Sequence, residues 1–475
     1  MSWRTVLLVL GLATAPRLLV FPFAENVAGD AVVRAWLGHA FLEAPHLIGS
    51  SLQGCLQYGP LHFPLLALVE WLTGSLALAG RWLSLAAGVL SALPVFALAK
   101  RAFAGHEPSS AFATRAAWWS VAVLSLWPLH IQASTTAASE GLSGLFVLLA
   151  VASLARGLDT GERPFILLSG LALTLGAAVR YDVWLWVPLL ALVVWWKVGI
   201  GRAVAFGLVA GSFPVAWLLG HLVDTGDLLY PVKVIDDYHR TWFVSEARLW
   251  GDAYRLIVLG FWPITALVTF TPVGTLLGGW ALIRAWRGPS RWLVLMVVVP
   301  ALVLSLRGAV LSSFVPLSRF TMKELSLFAL FVGAGIARVV ARRAALGPLI
   351  GLLLLTWGPL VESAARAPWR WANSFRAVSA LSRNPDDVRE AAAFLKSQLQ
   401  PTDILAIDVD PQGFDDLQLA FESELPRGQV ARRRAPNFAA IAAKGPRFVV
   451  LFDGGVLTPE GREVLRAGRV RVFRR

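Results

Sequence analysis

Cysteine is almost absent. The 475-residue chain has one, Cys55, so no disulfide forms within it and any exposed domain must be stable without one. Charge is also scarce: Asp, Glu, Lys and Arg make up 15% of the residues, where a soluble protein carries nearer a quarter. There is no phosphate-binding glycine loop, no His-Glu-x-x-His pair and no Ser/His/Asp signature, which removes the nucleotide-loop, zinc-protease and serine-hydrolase readings. Internal repeats and low-complexity tracts are missing too. No basic run with interleaved aromatics stands outside the apolar part, so the net charge of +13 does not point to nucleic acid.

What is present is apolar length. Hydrophobic residues make up 56% of the chain, and mean hydropathy is +0.63. Runs of about 16–22 apolar residues recur along most of it, which describes a polytopic membrane protein. Many of the 21 tryptophans sit near the ends of these runs, as interfacial anchors do. Spans are predicted at 5–23, 81–99, 116–133, 141–156, 165–179, 183–197, 203–222, 256–284, 291–307, 320–338 and 345–362. That makes about eleven. The first is read as a retained span, since Arg17 interrupts it and no small-residue cleavage site follows. Segment 61–79 decides the orientation. If it does not cross, the basic stretches 100–115, 156–163, 197–202, 284–291 and 338–343 all lie in the cytoplasm, as positive charge prefers. Segment 61–79 is therefore read as a re-entrant or surface helix.

Beyond residue 363 the composition changes sharply. Residues 1–363 form an all-α membrane domain, and 364–475 a small α/β domain on the outer face. In the latter, Asn384 is read as the N-cap of a helix to about Leu399. Stretches 404–407, 448–452 and 470–473 are read as strands, and 435–444 and 459–466 as helical patches.

Polar outliers mark the candidate site. Asp30 follows the first span directly, with Arg34 one helical turn on. Val33, Trp36, Leu37, Ala40 and Phe41 form the apolar face of that surface helix. An Asp after Gly is also an ordinary N-cap, and the two roles are compatible. Glu140 lies at the outer end of a span, where an ionisable group is a functional candidate by default. Arg34, Arg81, Arg180, Arg307 and Arg319 all fall on the outer side, against the positive-inside bias. Guanidinium groups at that level suit a lipid phosphate, which Arg clamps bidentately. Snorkelling to headgroups, or pairing with Asp182 or Glu324, is the alternative use of each. The outer loop 223–255 is read as solvated. Its Asp236, Asp237 and His239 are the candidate ligands for a divalent metal, without a recognised ligand spacing.

With these residues in place, the chain resembles the GT-C membrane glycosyltransferases, in particular the protein O-mannosyltransferase and aminoarabinose-transferase branch (glycosyltransferase family 39-like). The matching features are Gly29-Asp30 after the first span and the loop ending Tyr58-Gly59-Pro60-Leu61-His62-Phe63. Arg81-Trp82-Leu83-Ser84, Lys100-Arg101-Ala102-Phe103, Glu140, Arg319-Phe320 and a C-terminal extracytoplasmic domain follow in order. The likeness is good over about 1–190, patchy to 340 and weak beyond. It implies a polyprenyl-phosphate-linked sugar donor and transfer with inversion to an acceptor protein, lipid or glycan, at a bacterial inner membrane. Asp30 is then the general base, and Arg34, Arg180 and Arg319 hold the donor phosphate. Glu140 positions the acceptor or a metal. A divalent metal ion is the one cofactor the resemblance suggests. The chain departs from its relatives at Ala31, where many have a second acid, at Gln57-Tyr58, where some have Glu-Lys, and at Glu140-Gly141-Leu142 in place of Asp-Met-Leu. A flippase for lipid-linked glycans would need charges at mid-span and related halves, and neither is evident. A non-catalytic binder of lipid-linked sugar is the other alternative, and the intact Asp30 argues against it.

Overall fold

The structure is a computed structural model that describes residues 1–27, 29–45, 58–104, 110–366, 380–409, 415–425, 427–433, 435, 438–458 and 461–475. Part of the first-loop motif, including Gln57 and Cys55, lies outside the described residues.

The chain opens with α1 (Trp3–Val20), capped by Ser2, whose hydroxyl accepts from the Thr5 amide. Helices α2 (Gly29–Glu43) and α3 (His62–Thr73) follow. Gly74, at φ +65°, ends α3, and Ser75 caps α4 (Leu76–Leu90), which continues through Ser91 into α5 (Ala92–Ala102). The 12 residues of α3 rise about 18 Å, so α3 by itself is too short for a hydrocarbon core of about 30 Å. Next come α6 (Ser110–Leu126), α7 (Pro128–Thr135), α8 (Ser139–Thr160) and α9 (Arg163–Val179). A short 3-10 turn (Tyr181–Leu185) leads into α10 (Trp186–Val198). Helices α11 (Ile200–Ala210) and α12 (Ser212–Thr225) meet at Gly211 with a bend of 51°.

Two expectations fail in the next stretch. Loop 223–255 is largely one helix, α13 (Tyr230–Trp250), whose polar sequence hid it among loop signals. Segment 256–284 is not one span but α14 (Ala253–Leu259), α15 (Phe261–Thr269) and α16 (Pro272–Trp286), divided at Gly260 and at Thr271-Pro272. Helices α17 (Arg291–Ala309), α18 (Met322–Arg342) and α19 (Leu346–Arg366) complete the membrane part. Six helical stretches are long and apolar enough to cross alone, and a seventh if α11 and α12 form one broken span. Several of the other expected spans are present as shorter or divided helices.

Helix α18 is the axis of this bundle, buried at every position from Met322 to Ala337. Small residues allow that depth. Gly333 lies against the Ser120 backbone of α6, and Gly335 against the Leu277 carbonyl of α16, where a Cβ would sit 2.4 and 2.5 Å from the nearest atom. Close approach of this kind is how helices pack where no hydrophobic force separates lipid from protein.

The C-terminal unit begins with α20 (Asp386–Gln398). Its elements then run β1 (Leu405–Ile407), α21 (Asp415–Glu422), β2 (Val430–Arg432), α22 (Phe438–Ala442), β3 (Phe448–Phe452), β4 (Arg462–Ala467) and β5 (Val470–Arg474). Sheet order is β2-β1-β3-β5-β4, parallel among the first three and antiparallel beyond. Segment 459–466, expected helical, is strand β4 from Arg462 on, with 459–460 outside the described residues: the short period was ambiguous, and pairing with β5 decided it. Asn384 is not the N-cap, a place taken by Pro385. One face of α2 enters this unit's core: Val32, Ala35 and Trp36 share a buried cluster with Val388, Leu395, Leu405 and Phe421.

Candidate active site

Three breaks in the membrane helices turn the chain at one level. Helix α8 starts at Ser139 with Glu140 in its first turn, where a carboxylate faces the positive end of the helix. Helix α9 stops at Arg180, whose backbone is extended (φ −149°, ψ 137°). The chain before α18 is extended at Leu317 and then forms a 3-10 turn holding Arg319. Helix α2, lying across this level, supplies Asp30 and Arg34 one turn apart.

These residues form an alternating chain of charge. Arg319 Nη1 donates to Asp30 Oδ1 at 2.7 Å, and Arg319 Nε is 3.5 Å from Glu140 Oε1. The same Glu140 oxygen accepts from Arg180 Nη1 at 2.9 Å. Arg180 Nη1 also donates to Ser139 Oγ, and its Nε to Asp182 Oδ1 at 3.2 Å. Lys323 Nζ, almost wholly buried, closes the series on Asp182 Oδ2 at 2.8 Å. Glu140 is fully buried, and its Oε2 has no hydrogen-bond partner. Burying such groups is expensive unless each is paired, and every link of this chain is.

Arg34 stands beside the chain. Its guanidinium lies 4.2 Å from the centre of the Tyr58 ring, a cation–π contact. Its Nε and Nη1 are buried without a hydrogen-bond partner. Gly59 explains where Tyr58 sits: a Cβ there would fall 2.3 Å from the Ala178 carbonyl, so only glycine lets this turn press on the end of α9 beside Arg180. The next residue but one, Leu61, donates its amide to that carbonyl at 3.1 Å. His62 is wholly buried with neither ring nitrogen bonded, and burial, then the charge of Arg34, hold it neutral, well below its ordinary pKa.

Burial pushes the Asp30 carboxyl up, but the charges of Arg319 and Arg34 and the Arg319 hydrogen bond outweigh it and hold the group at about 2. Asp30 is thus an ionised, acceptor-only carboxylate with 21% of its side chain exposed. On α13, burial first and then the charge of Asp30 raise the Tyr238 hydroxyl, against Arg319.

The structure brings Asp30, Arg34, Glu140, Arg180 and Arg319 together. Arg81 and Arg307 are not among them. Arg81 donates to the carbonyls of Thr135 and Phe21, and Arg307 pairs with Asp236. The three loop candidates for a metal are not gathered on one ligand site: Asp236 pairs with Arg307, His239 Nδ1 accepts from the Val315 amide, and Asp237 lies exposed. Among the described residues no three His, Cys, Asp or Glu side chains gather as metal ligands. Lys323, which joins the charge chain through Asp182, is a residue that sequence reasoning missed. The only signal for Lys323 was a pair of charges, Lys323-Glu324, opening an apolar span.

No family model matches the chain, and no curated protein matches it. Solved structures do. ArnT from Cupriavidus metallidurans, in a crystal structure bound to undecaprenyl phosphate, aligns over 100% of this chain and 98% of its own, with TM-score 0.60 and 15% identity. The oligosaccharyltransferase AglB from Archaeoglobus fulgidus, in complex with an inhibitory peptide and a dolichol-phosphate, aligns over 95% of this chain and 70% of its own, with TM-score 0.54 and 13% identity. Both are GT-C glycosyltransferases, and the fold of this chain is theirs, C-terminal unit included for ArnT.

Proposed function

We propose that the protein is an inverting glycosyltransferase that moves a sugar from a polyprenyl-phosphate carrier to an acceptor. The observation that carries this reading is the ion-pair chain from Asp30 to Lys323, which ends in a partly accessible carboxylate bordered by an arginine with unpartnered N–H groups. The fold supports it, since the ArnT structure holds undecaprenyl phosphate and the AglB structure a dolichol-phosphate.

The acceptor hydroxyl or amide attacks the sugar C1 from the face opposite the phosphate. Asp30 takes its proton as the new C1 bond forms, a role worth about 10²–10⁴-fold in rate. The C1–O bond to phosphate breaks, and the carrier leaves as polyprenyl phosphate with one more negative charge. Arg34, Arg180 and Arg319 face that charge and stabilise it. Each guanidinium has five N–H groups, and the bonds described here use only Nε and Nη1 of Arg180 and Arg319, so their Nη2 groups remain for phosphate. As phosphate draws on Arg319, Asp30 gains basicity, which couples donor binding to activation of the base. No step is routed through a metal, since among the described residues no three candidate ligands gather at the site. With the basic loops inside, Asp30 and the C-terminal unit that packs on α2 face the outside of a bacterial inner membrane.

The test compares purified wild type and Asp30→Asn with a panel of polyprenyl-phosphate sugars and candidate acceptors, following donor consumption by mass spectrometry. Consumption by wild type alone is expected. Equal consumption by Asp30→Asn overturns the role of Asp30, and donor binding without consumption by wild type favours a lipid-linked-sugar binder or flippase.

A further inference from the structure

Among the described residues, the C-terminal unit reaches the site through α2, while Leu76 and Ala77 of α4 pack on the same cluster. Helix α2 has two working faces. Asp30 and Arg34 look toward the charge chain, and Val33 and Leu37 pack with Phe63 of α3 on the membrane side. Val32, Ala35 and Trp36, on the other face, are as deeply buried as the unit's own strands. The Trp36 ring meets Phe421 of α21 edge to face at 6.0 Å between centroids.

The residues just before α2 are tied as firmly. Glu25 makes four bonds to the C-terminal unit. Its amide donates to the Ser382 carbonyl at 2.9 Å, and its carbonyl accepts from Ser382 Oγ at 2.9 Å. Its Oε2 accepts from the Asn384 amide at 2.8 Å, and its Oε1 from Arg389 Nε at 2.7 Å. The next residue, Asn26, bonds the other way, into the membrane part: its Oδ1 accepts from the Ala137 amide at 2.7 Å, three residues before Glu140. Two adjacent side chains thus fasten the approach to α2 between the C-terminal unit and the start of α8.

We propose that the C-terminal unit is a positioning device for the base, with Glu25, Arg389 and Trp36 as positioning residues that set where Asp30 stands relative to Arg319 and Glu140. This rests on the reading of Asp30 as the base. A catalytic group must be held to within a fraction of an ångström, and a surface helix of 15 residues with one face in water would not hold it. A unit whose only duty was acceptor capture would have no need to take one face of the catalytic helix into its core.

The test uses the full chain in detergent. Variants are Glu25→Gln, Arg389→Gln, the exchange Glu25→Arg with Arg389→Glu, and Trp36→Ala beside Trp36→Phe. Two readouts are taken: kcat and the dissociation constant for undecaprenyl phosphate, and hydrogen–deuterium exchange of the 29–43 peptide. Expected for Glu25→Gln and Arg389→Gln are a tenfold to hundredfold fall in kcat, a carrier dissociation constant within about threefold of wild type, and faster exchange across α2. The charge exchange and Trp36→Phe restore most of both. Unchanged kcat with unchanged α2 exchange overturns the proposal, as does a loss of carrier affinity equal to the loss of kcat. If wild type transfers no sugar from any donor, the function fails but the exchange data still decide whether the unit holds α2.

Discussion

Arg319 bonds Asp30 and Glu140 with one guanidinium, 2.7 Å from the first and 3.5 Å from the second. It brings α2, α8 and the turn before α18 to one point, although 289 residues separate it from Asp30. It is also the strongest of the charges that keep Asp30 acidic.

Removing it should therefore expose the intrinsic cost of Asp30's burial. With Arg319 present the carboxyl sits at about 2, so this group leaves the rate flat at pH 4–7. In Arg319→Met, burial is opposed only by Arg34 and Arg180, and the carboxyl rises from about 2. A base is lost as pH falls through its pKa, so the acid limb of kcat/KM should move upward into the measurable range. The position of the limb checks this rather than its height, since the variant also loses a phosphate contact. A limb that stays at the wild-type position would show that Arg319 does not set the ionisation of Asp30.

Arg34 offers a different separation. It stacks on Tyr58, and its Nε and Nη1 have no bond to give up when phosphate arrives. Hydrogen bonds to charged groups contribute about 1.5–3 kcal/mol, so Arg34→Met should weaken undecaprenyl phosphate about tenfold to a hundredfold. Fold stability should change little, because among the described residues Arg34 is in no ion pair with a carboxylate. Titration calorimetry of the purified variant measures the first, and thermal unfolding the second. A variant that binds carrier as wild type does would remove Arg34 from the phosphate site.

Much of this site was legible because charge is so rare in an apolar chain. Asp30, Glu140, Arg180 and Arg319 stood out as ionisable groups at span ends, where each needs a reason to be. What the sequence did not carry was who pairs with whom. Arg180 and Arg319 were read as phosphate clamps, yet both are bonded to acids. Lys323 reaches Asp182 across 141 residues, a relationship that exists only in the packed bundle. The fold was legible wherever one apolar run makes one helix, as in α8, α9 and α17. It was not at 256–284, where Gly260 and Pro272 divide a continuous apolar run, nor in α13, where a long helix is built from polar residues.

The inner end of the charge chain makes a stability prediction. Asp182 serves both Arg180 and Lys323, whereas Lys323 bonds only Asp182 in this site. Asp182→Asn leaves a buried ammonium without a counter-charge, a change that costs about 3–5 kcal/mol. Lys323→Met leaves Asp182 with Arg180 and should cost less. The double variant should then be closer to Lys323→Met than to Asp182→Asn. Denaturation in mild detergent gives the three values. Independent, additive losses would show that the two side chains do not act as a pair.

Glu422, at the end of α21, makes the last prediction, for pH. Burial first and then the charge of Glu25 push its carboxyl up to about 7 from an ordinary 4.5, against Arg81 and Lys396. Glu424, which also raises it, is itself paired with Lys396 at 2.6 Å. The folded chain therefore keeps this proton over a range where the unfolded chain has released it. Folding stability contributed here is complete below about 4.5, falls as pH rises, and is lost by about 7. Since Glu422 belongs to the C-terminal unit and feels the charge of Glu25, the loss should be felt at the dock on α2. Glu422→Gln carries no such proton. Its stability should be flat across this window and exceed that of wild type at pH 8. Thermal unfolding at half-unit steps from pH 4.5 to 8, with exchange of the 29–43 peptide at each end, checks both. Identical pH slopes in the two proteins would place the titrating group elsewhere, and a wild type that grows more stable with rising pH would reverse the sign argued here.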